Sequence, residues 1–291
     1  MEKTTENNIN FAYFGGEPIG VPVLNELEAC GLVPSLVVCN PDRPVGRKQV
    51  LTAPASKTWA LERNIPVFQP ETLKDKKELA TLTENSFDLF VVVAYNKIMP
   101  KWLIDAPTHG TLNVHPSLLP LLRGASPIRS TILQDLREQC GVSIMQMDEK
   151  MDHGPILAQQ VMDIEEAQWP IGGNELDIAL ANTGGALLAS VIPQWIAGDI
   201  DPQEQDHEQA TFCGKMEKAD GEINLEDDGY ANYLKFCAYE GFPGTFFFIE
   251  KNEKQVRVKI VSAELNGDGI FVPLRVTPEG KKEMDYEAFE G

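Results

Sequence analysis

The chain has 291 residues, of which 43% are hydrophobic and 24% are charged. These proportions are typical of a globular protein with an ample core, and they exclude a disordered chain, a collagen-like fibre and a disulfide-stabilised miniprotein. The formal net charge of −19 argues against a general nucleic-acid binder, because phosphate contacts require clustered lysine and arginine.

The remaining composition bears on the compartment. The five cysteines are scattered and odd in number, which indicates reduced thiols and gives no zinc signature. The longest dense apolar run, Leu89–Ala94, is too short to cross a bilayer, and Met1–Asn10 lacks the features of a secretory leader. We therefore expect a cytoplasmic protein that does not contact a membrane.

The first two hundred residues alternate between strand-like and helix-like patterns. The continuous apolar run Phe87–Ala94 is typical of a strand buried on both faces of a parallel sheet. The alternation predicts right-handed strand-helix-strand units and a doubly wound, mostly parallel sheet. The predicted strands are Ile9–Phe14, Leu32–Cys39, Phe87–Ala94, Gly110–His115 and Val142–Met147, and the predicted helices are Val21–Cys30, Pro54–Arg63, Leu73–Glu84 and Ile128–Leu136.

A second, smaller domain is expected after a long helix over Gly173–Ala197, which Gly198 would cap. The polar segment Asp199–Ala210 is predicted to be a linker, so that the domains span 1–198 and 211–291. Beyond it the pattern changes to short strands joined by turns, which indicates a β-rich fold. These strands are Thr245–Ile249, Gln255–Ala263 and Ile270–Val276, with a turn at Asn266–Gly269.

Polar residues at two predicted strand ends are the first candidates for chemistry. Asn113 and His115 are two apart on one strand and face the same side, at the sheet edge where α/β folds bind ligands. Asp152 follows another predicted strand and is a plausible partner for His115. A satisfied strand end and a solvated turn are the alternatives for these positions, and they stay open on spacing alone.

Two other kinds of site have weaker support. A metal site built from His109, His115, Asp152 and His153 would lack any short-range ligand pair, so we expect no metal. Gly15-Gly16 follows the first strand, but the GxGxxG pattern of a dinucleotide site is absent, and a tight strand-to-helix turn is the better account.

Longer motifs carry a resemblance to a known family. The run from Asn113 to Ile128, NVHPSLLPLLRGASPI, resembles the active-site signature of the 10-formyltetrahydrofolate-dependent formyltransferases. Four further segments resemble the members whose acceptor is initiator methionyl-tRNA, and they occur in the family's order along nearly the whole chain. These are Cys39–Arg47 (CNPDRPVGR), Val91–Tyr95 (VVVAY), Gly141–Asp148 (GVSIMQMD) and Ala210–Lys215 (ATFCGK), with Gly280-Lys281-Lys282 near the end.

The resemblance implies a fold, an activity and a set of site residues. The fold would be a Rossmann-like catalytic domain followed by a small, OB-like β-barrel that helps hold tRNA. The activity would be transfer of the formyl group of 10-formyltetrahydrofolate to the α-amine of methionine on initiator methionyl-tRNA, for translation initiation, by a monomeric enzyme without a metal. The implied catalytic residues are Asn113, His115 and Asp152, the implied folate contacts are Ser117, Leu118, Leu119, Pro120, Tyr95 and Ile98, and the implied tRNA contacts are Arg43, Arg47, Lys48 and Lys215.

The sequence departs from the family pattern at four positions. Ile19 replaces an aromatic residue, Asn96 replaces a glycine, and Lys150 and His153 replace a glycine and a threonine. The C-terminal part is also short and acidic, since residues 201–291 carry a net charge of −10 against −9 for residues 1–200.

Three alternatives share parts of this pattern. A sugar-nucleotide N-formyltransferase would use the same folate and triad but would not need the basic segment Arg43–Lys48. A formyltetrahydrofolate hydrolase would use water as acceptor and usually carries an N-terminal regulatory domain. A non-enzymatic folate-binding or tRNA-binding relative is disfavoured because Asn113, His115 and Asp152 are all present.

Overall fold

The computed structural model describes residues 9–46, 48–251 and 254–290, so the predicted tRNA contact Arg47 lies outside the described residues. The chain divides into two compact units, each assembled from separate segments. The first unit contains residues up to Arg123, Gly141–Met162 and Ile178–Thr211, and the second contains Gly124–Cys140, Asp163–Asp177 and the chain from Phe212 onward. Each unit is therefore discontinuous in sequence, whereas the expected domains, 1–198 and 211–291, are each a single continuous segment.

The strands, numbered in chain order, are β1 (Phe11–Phe14), β2 (Leu36–Val38), β3 (Arg43–Val45), β4 (Val50–Thr52), β5 (Val67–Phe68), β6 (Leu89–Val92), β7 (Thr111–His115), β8 (Arg123–Gly124), β9 (Gly141–Gln146), β10 (Ile156–Val161), β11 (Phe212–Cys213), β12 (Phe246–Lys251), β13 (Lys254–Leu265), β14 (Phe271–Pro278) and β15 (Met284–Asp285). The helices are α1 (Gly20–Ala29), α2 (Ala55–Glu62), α3 (Ala80–Thr83), α4 (Lys101–Ile104), α5 (Pro127–Leu133), α6 (Gly173–Ala197), α7 (Gly229–Ala238) and α8 (Tyr286–Glu290).

The first unit is built on a seven-stranded sheet of order β10-β9-β7-β6-β1-β2-β5. The five strands from β7 to β5 in this order pair in parallel, which confirms the predicted doubly wound core. The strand predicted at Val142–Met147 is present as β9, but it runs antiparallel to β7, and β10 is antiparallel to β9. A continuous apolar run indicates that a strand is buried on both faces, but it does not determine the strand's direction. β9 is buried in this way and is nevertheless antiparallel to β7.

The helix predicted over Leu73–Glu84 was too long, because only Ala80–Thr83 is helical. The Thr72 hydroxyl accepts a hydrogen bond from the backbone N–H of Lys74, and the Asp75 carboxylate accepts one from the N–H of Lys77. Such local side-chain bonds give the backbone an alternative to helical hydrogen bonding. The remaining predicted helices of the unit are confirmed within a few residues.

The core of the first unit lies on both faces of the sheet. All four residues of β1 are fully buried, as expected for a central strand covered by helices on each side. The long helix α6 lies close against this unit at two glycines: a Cβ at Gly184 would come within 2.6 Å of Val114, and one at Gly185 within 2.7 Å of Glu26. Gly198, at φ +77°, ends the helix as predicted.

By length and composition alone, α6 is long and apolar enough to cross a membrane. Continuous apolar runs in the sequence do not reveal this property, because α6 is apolar over its length without containing a long run of that kind. Half of its most apolar stretch is buried inside the structure, and core helices of globular proteins can have the same length and apolar composition.

The second unit contains a four-stranded antiparallel sheet of order β12-β13-β14-β15. All three predicted strands are present, and the predicted turn at Asn266–Gly269 joins β13 to β14, with the Asn266 side chain accepting hydrogen bonds from the N–H groups of Asp268 and Ile270. Apolar side chains of the sheet pack with those of α7 and α8 into a separate core. The predicted β-rich C-terminal fold is therefore confirmed as an antiparallel sheet.

The segment predicted to be a linker is anchored to the first unit. Gln203 exchanges two backbone hydrogen bonds with Ile156, and the side chain of Gln205 is almost fully buried. Polar composition predicted exposure here, but a polar side chain is buried readily when its hydrogen bonds are satisfied.

Candidate active site

The carboxyl end of β7 supplies the two polar residues predicted from the sequence. Asn113 lies beside Val92 of β6 and Met145 of β9, and His115 lies beside Ser143 of β9. Because the two residues are two apart, they share one face of the sheet. Asn113 is partly exposed and His115 is buried.

The structure brings Asp152 next to His115, as predicted. The His115 Nδ1 and Asp152 Oδ1 atoms are 3.7 Å apart, which is an ion-pair separation longer than a direct hydrogen bond. The other ring nitrogen, Nε2, lies 3.1 Å from the carbonyl oxygen of Leu122. A carbonyl oxygen only accepts, so Nε2 carries a proton and Nδ1 is the nitrogen that exchanges a proton on the Asp152 side.

A tight turn holds Asp152 at this place. Asp152 has a φ of +50°, in the left-handed region that residues with a side chain rarely adopt. Two residues on, a Cβ at Gly154 would lie only 2.0 Å from the carbonyl oxygen of Gln146, so only glycine fits. The turn is thereby pressed against the end of β9.

The loop that follows β7 contains four of the predicted folate contacts. Ser117 is buried and donates its hydroxyl hydrogen bond to the Leu121 carbonyl, while Leu119 is 3% exposed. Leu118 and Pro120 are partly exposed. The Ser143 hydroxyl on β9 donates to the Ser117 carbonyl and accepts from the Leu119 N–H, which fixes the loop against the sheet.

The other two predicted folate contacts differ in environment. The Tyr95 ring packs edge-on against Phe14 at 5.6 Å, and burial raises the pKa of its hydroxyl. Ile98, in contrast, is 87% exposed. Within the described part of the chain, the buried Tyr95 hydroxyl and the buried Oδ1 of Asn40 have no hydrogen-bond partner. Both follow strands at the same sheet edge, where a polar ligand could satisfy them.

The basic segment forms a hairpin, which we call the basic hairpin, made of β3 and β4 with their connecting turn. Arg43 and Lys48 are exposed on it. Lys57, on α2 beyond the hairpin, donates to both carboxylate oxygens of Asp42 at 2.8 and 2.9 Å. This contact, together with the one from Gln69, holds the pKa of Asp42 below its usual value. Arg43 and Lys48, the other described basic residues between Asp42 and Lys57, lie outside this ion pair.

Lys215, the remaining predicted tRNA contact, is an exposed residue of the second unit. Two of the four residues that depart from the family pattern form side-chain hydrogen bonds. Asn96 donates to the Glu17 carboxylate at 2.6 Å, and His153 Nδ1 donates to Asp148 at 2.6 Å. Lys150 is exposed, and Ile19 precedes the first turn of α1.

No three histidine, cysteine, aspartate or glutamate side chains converge as metal ligands anywhere in the described ranges. The imagined set of His109, His115, Asp152 and His153 is therefore not assembled by these residues.

Three residues of the site were missed in the sequence. Gln205 donates to the carbonyl oxygens of Asp152 and Gly154, and Arg123 donates to Gln205. Asn40 lies within the segment Cys39–Arg47, from which the resemblance implies only Arg43 and Arg47 as contacts. Gln205 sits in a segment whose composition indicates a linker, so no local pattern could have identified it.

Comparisons with known proteins show the family to which the chain belongs. A family model described as formyl transferase matches residues 8–169. A methionyl-tRNA formyltransferase from Herpetosiphon aurantiacus is 40% identical over 261 residues, which cover 90% of this chain and 83% of the relative.

Two solved structures share the fold. A methionyl-tRNA formyltransferase from Clostridium thermocellum superposes with a TM-score of 0.61 at 14% identity, covering 95% of this chain and 99% of that one. A sugar N-formyltransferase from a Shewanella species gives a TM-score of 0.61 at 19% identity, covering 94% and 99%. At these identities the superpositions support the fold and do not separate one acceptor from another.

Proposed function

This chain belongs to the methionyl-tRNA formyltransferase family, and from that premise we propose that it formylates the α-amine of methionine on initiator methionyl-tRNA with Asn113, His115 and Asp152 as its catalytic residues. The observation that supports the proposal is the 3.7 Å pairing of His115 with Asp152 at the end of β7, on the strand face that Asn113 shares. The formyl donor is 10-formyltetrahydrofolate, which supplies an activated formyl carbonyl to the amine.

Asn113 stabilises the charge that develops during transfer. As the amine adds to the formyl carbonyl, the carbonyl oxygen becomes negative, and the Asn113 amide can donate an N–H to it. A donor placed before the reaction costs no reorganisation, and loss of one such donor commonly reduces the rate about 10²–10³-fold.

His115 and Asp152 handle the protons. With Nε2 held by the Leu122 carbonyl, His115 accepts or gives a proton at Nδ1, on the side of Asp152. Protonated His115 stabilises the same developing charge and can pass its proton to the departing folate nitrogen. Asp152 orients the ring and receives the proton of the attacking amine through water.

The folate half is assigned to the loop after β7 and to the end of β6. Leu118 offers a partly exposed apolar surface for the flat pterin, and the unpartnered Tyr95 hydroxyl offers a polar group after the neighbouring strand β6. The residues present therefore fit the donor. The exposed Ile98 would contact folate only at its rim.

The tRNA half is assigned to the basic hairpin and Lys215. A protein with a net charge of −19 repels tRNA at long range, so binding must depend on a local basic surface. Arg43 and Arg47 are suited to bidentate phosphate contacts and Lys48 to a point contact. We further propose that the protein acts as a cytoplasmic monomer, without a metal and without membrane contact.

The test is an acceptor comparison with the purified protein and 10-formyltetrahydrofolate. Charged initiator methionyl-tRNA, an amino-sugar nucleotide and water alone are offered in parallel, and formylated product or released formate is measured. The proposal predicts rapid formylation of the tRNA only. Preferred formylation of the amino sugar would support a sugar-nucleotide N-formyltransferase, and release of formate without an acceptor would support a hydrolase.

A further inference from the structure

The side chain of Gln205 is 5% exposed and its amide is fully used. Its Nε2 donates to the carbonyl oxygens of Asp152 at 3.0 Å and Gly154 at 2.7 Å. Its Oε1 accepts from Nε and Nη2 of Arg123 at 3.1 and 2.6 Å. Two donors and two acceptor positions are the whole capacity of a glutamine amide.

This pattern permits one orientation of the amide. If the amide were turned over, its NH₂ group would face the guanidinium donors and its oxygen would face two carbonyl oxygens. All four hydrogen bonds would become repulsive contacts, and in a buried position such a loss is costly. Gln205 is therefore a rigid bridge between Arg123 and the turn at residues 152–154.

Gln205 binds the turn at residues 152–154 on both sides of His153, through the carbonyl oxygens of Asp152 and Gly154. Asp152 is held at a φ of +50°, a conformation that persists only when surrounding contacts impose it. The direction in which the Asp152 carboxylate points follows from this backbone conformation. The two hydrogen bonds of Gln205 are contacts that impose it.

Arg123 is itself fixed in this position. It is 4% exposed, and its Nη2 lies 2.8 Å from Nδ1 of His207, which accepts because a guanidinium only donates. The His207 ring stacks on His153 with centroids 4.0 Å apart and an interplanar angle of 13°. The contacts therefore run from the turn at residues 152–154 through Gln205, Arg123 and His207 and return to His153. Because His153 lies between Asp152 and Gly154, they return to the same turn.

We propose that Gln205 is a positioning residue of the formyl transfer reaction, which holds Asp152 against His115 without touching substrate. The inference rests on the proposed function, because it assigns Asp152 a catalytic part. It explains why a polar segment remote in sequence from the triad is buried in the first unit.

The test uses Gln205→Glu, which keeps the size of the side chain and its contact with Arg123 but turns both donors toward the turn into acceptors. We expect kcat for formylation of methionyl-tRNA to fall at least tenfold, with KM for 10-formyltetrahydrofolate within twofold of wild type and the melting temperature nearly unchanged. Gln203→Glu is the matched control, since Gln203 is exposed in the same segment, and it should leave kcat unchanged. Gln205→Asn, one methylene shorter, serves in the same way if Gln205→Glu fails to fold.

The decisive step places each change in an Asp152→Asn background under single-turnover conditions. If Gln205 acts through Asp152, the second change reduces the remaining rate less than twofold. An equal fold-loss in both backgrounds, or a wild-type kcat for both Gln205 variants, would overturn the positioning role. Absence of product from the wild-type protein would instead overturn the proposed function.

Discussion

At the scale of single residues, the environment of His115 decides which proton the site can move. Nε2 is held by the Leu122 carbonyl, so the proton exchanged with Asp152 or with substrate is the one at Nδ1. The separation of 3.7 Å to Asp152 is long for the protein alone, and catalytic contacts of this kind commonly shorten when substrate binds. Asn113 lies on the same strand face, where it can serve the oxygen of the same reacting group.

Two neighbouring leucines should separate folate binding from folding. Leu118 is partly exposed and Leu119 is 3% exposed, so Leu118→Ala should raise the Kd for folate with little effect on stability. Leu119→Ala should in addition lower the free energy of unfolding by about 2–5 kcal/mol. Folate titration and denaturant unfolding measure the two effects, and Leu61→Ala, at a position 57% exposed, is the control. Unchanged folate affinity in Leu118→Ala would remove this loop from the folate site.

At the scale of elements, the basic hairpin is where we propose that tRNA binds. Changing Arg43, Arg47 and Lys48 together to glutamine should weaken tRNA binding and reduce the slope of log affinity against log salt by roughly two to three units, because each phosphate contact contributes about 0.9 to that slope. Folate affinity should not change.

The control for the hairpin removes the same charge elsewhere. Lys74, Lys76 and Lys77 are exposed and lie among acidic residues, so changing them to glutamine should leave the salt slope as it is. A hairpin variant with the wild-type slope would contradict the assignment of tRNA to this element.

The elements also show how far sequence patterns reach. The central strands and α6 were predicted to within a few residues, because apolar runs and a capping glycine report burial and helix ends locally. The antiparallel direction of β9 and the bridge through Gln205 were not, because both depend on partners distant in sequence. The pairing of His115 with Asp152 was predicted because both residues follow strand ends at one sheet edge and because the motif resemblance implies the same two residues.

At the scale of the whole molecule, buried thiols in both units should make the free energy of unfolding fall as the pH rises in the alkaline range. Burial raises the pKa of Cys39, Cys140 and Cys237 to about 11 from an ordinary value of 9.0. These thiols ionise more readily in the unfolded chain, so their contribution is fully present below pH 9 and is lost as pH rises toward 11.

The melting temperature should therefore fall between pH 9 and pH 10.5, and it should fall less in a Cys39→Ala and Cys140→Ala double variant. Cys30→Ala, at an exposed position, should follow the wild-type curve. Scanning calorimetry across this range provides the measurement. A double variant with the same pH dependence as wild type would show that other groups govern alkaline unfolding.

The most direct test of the central claim is the rate of formyl-methionyl-tRNA formation by the wild-type protein and by Asn113→Ala, His115→Ala and Asp152→Ala, under saturating 10-formyltetrahydrofolate. We predict rapid formylation by the wild type and a loss of about 10²–10³-fold or more for Asn113→Ala, with similarly large losses for His115→Ala and Asp152→Ala. Melting temperatures close to wild type would show that the variants are folded. Near-normal rates in two of the three variants would contradict the assignment of catalysis to these side chains.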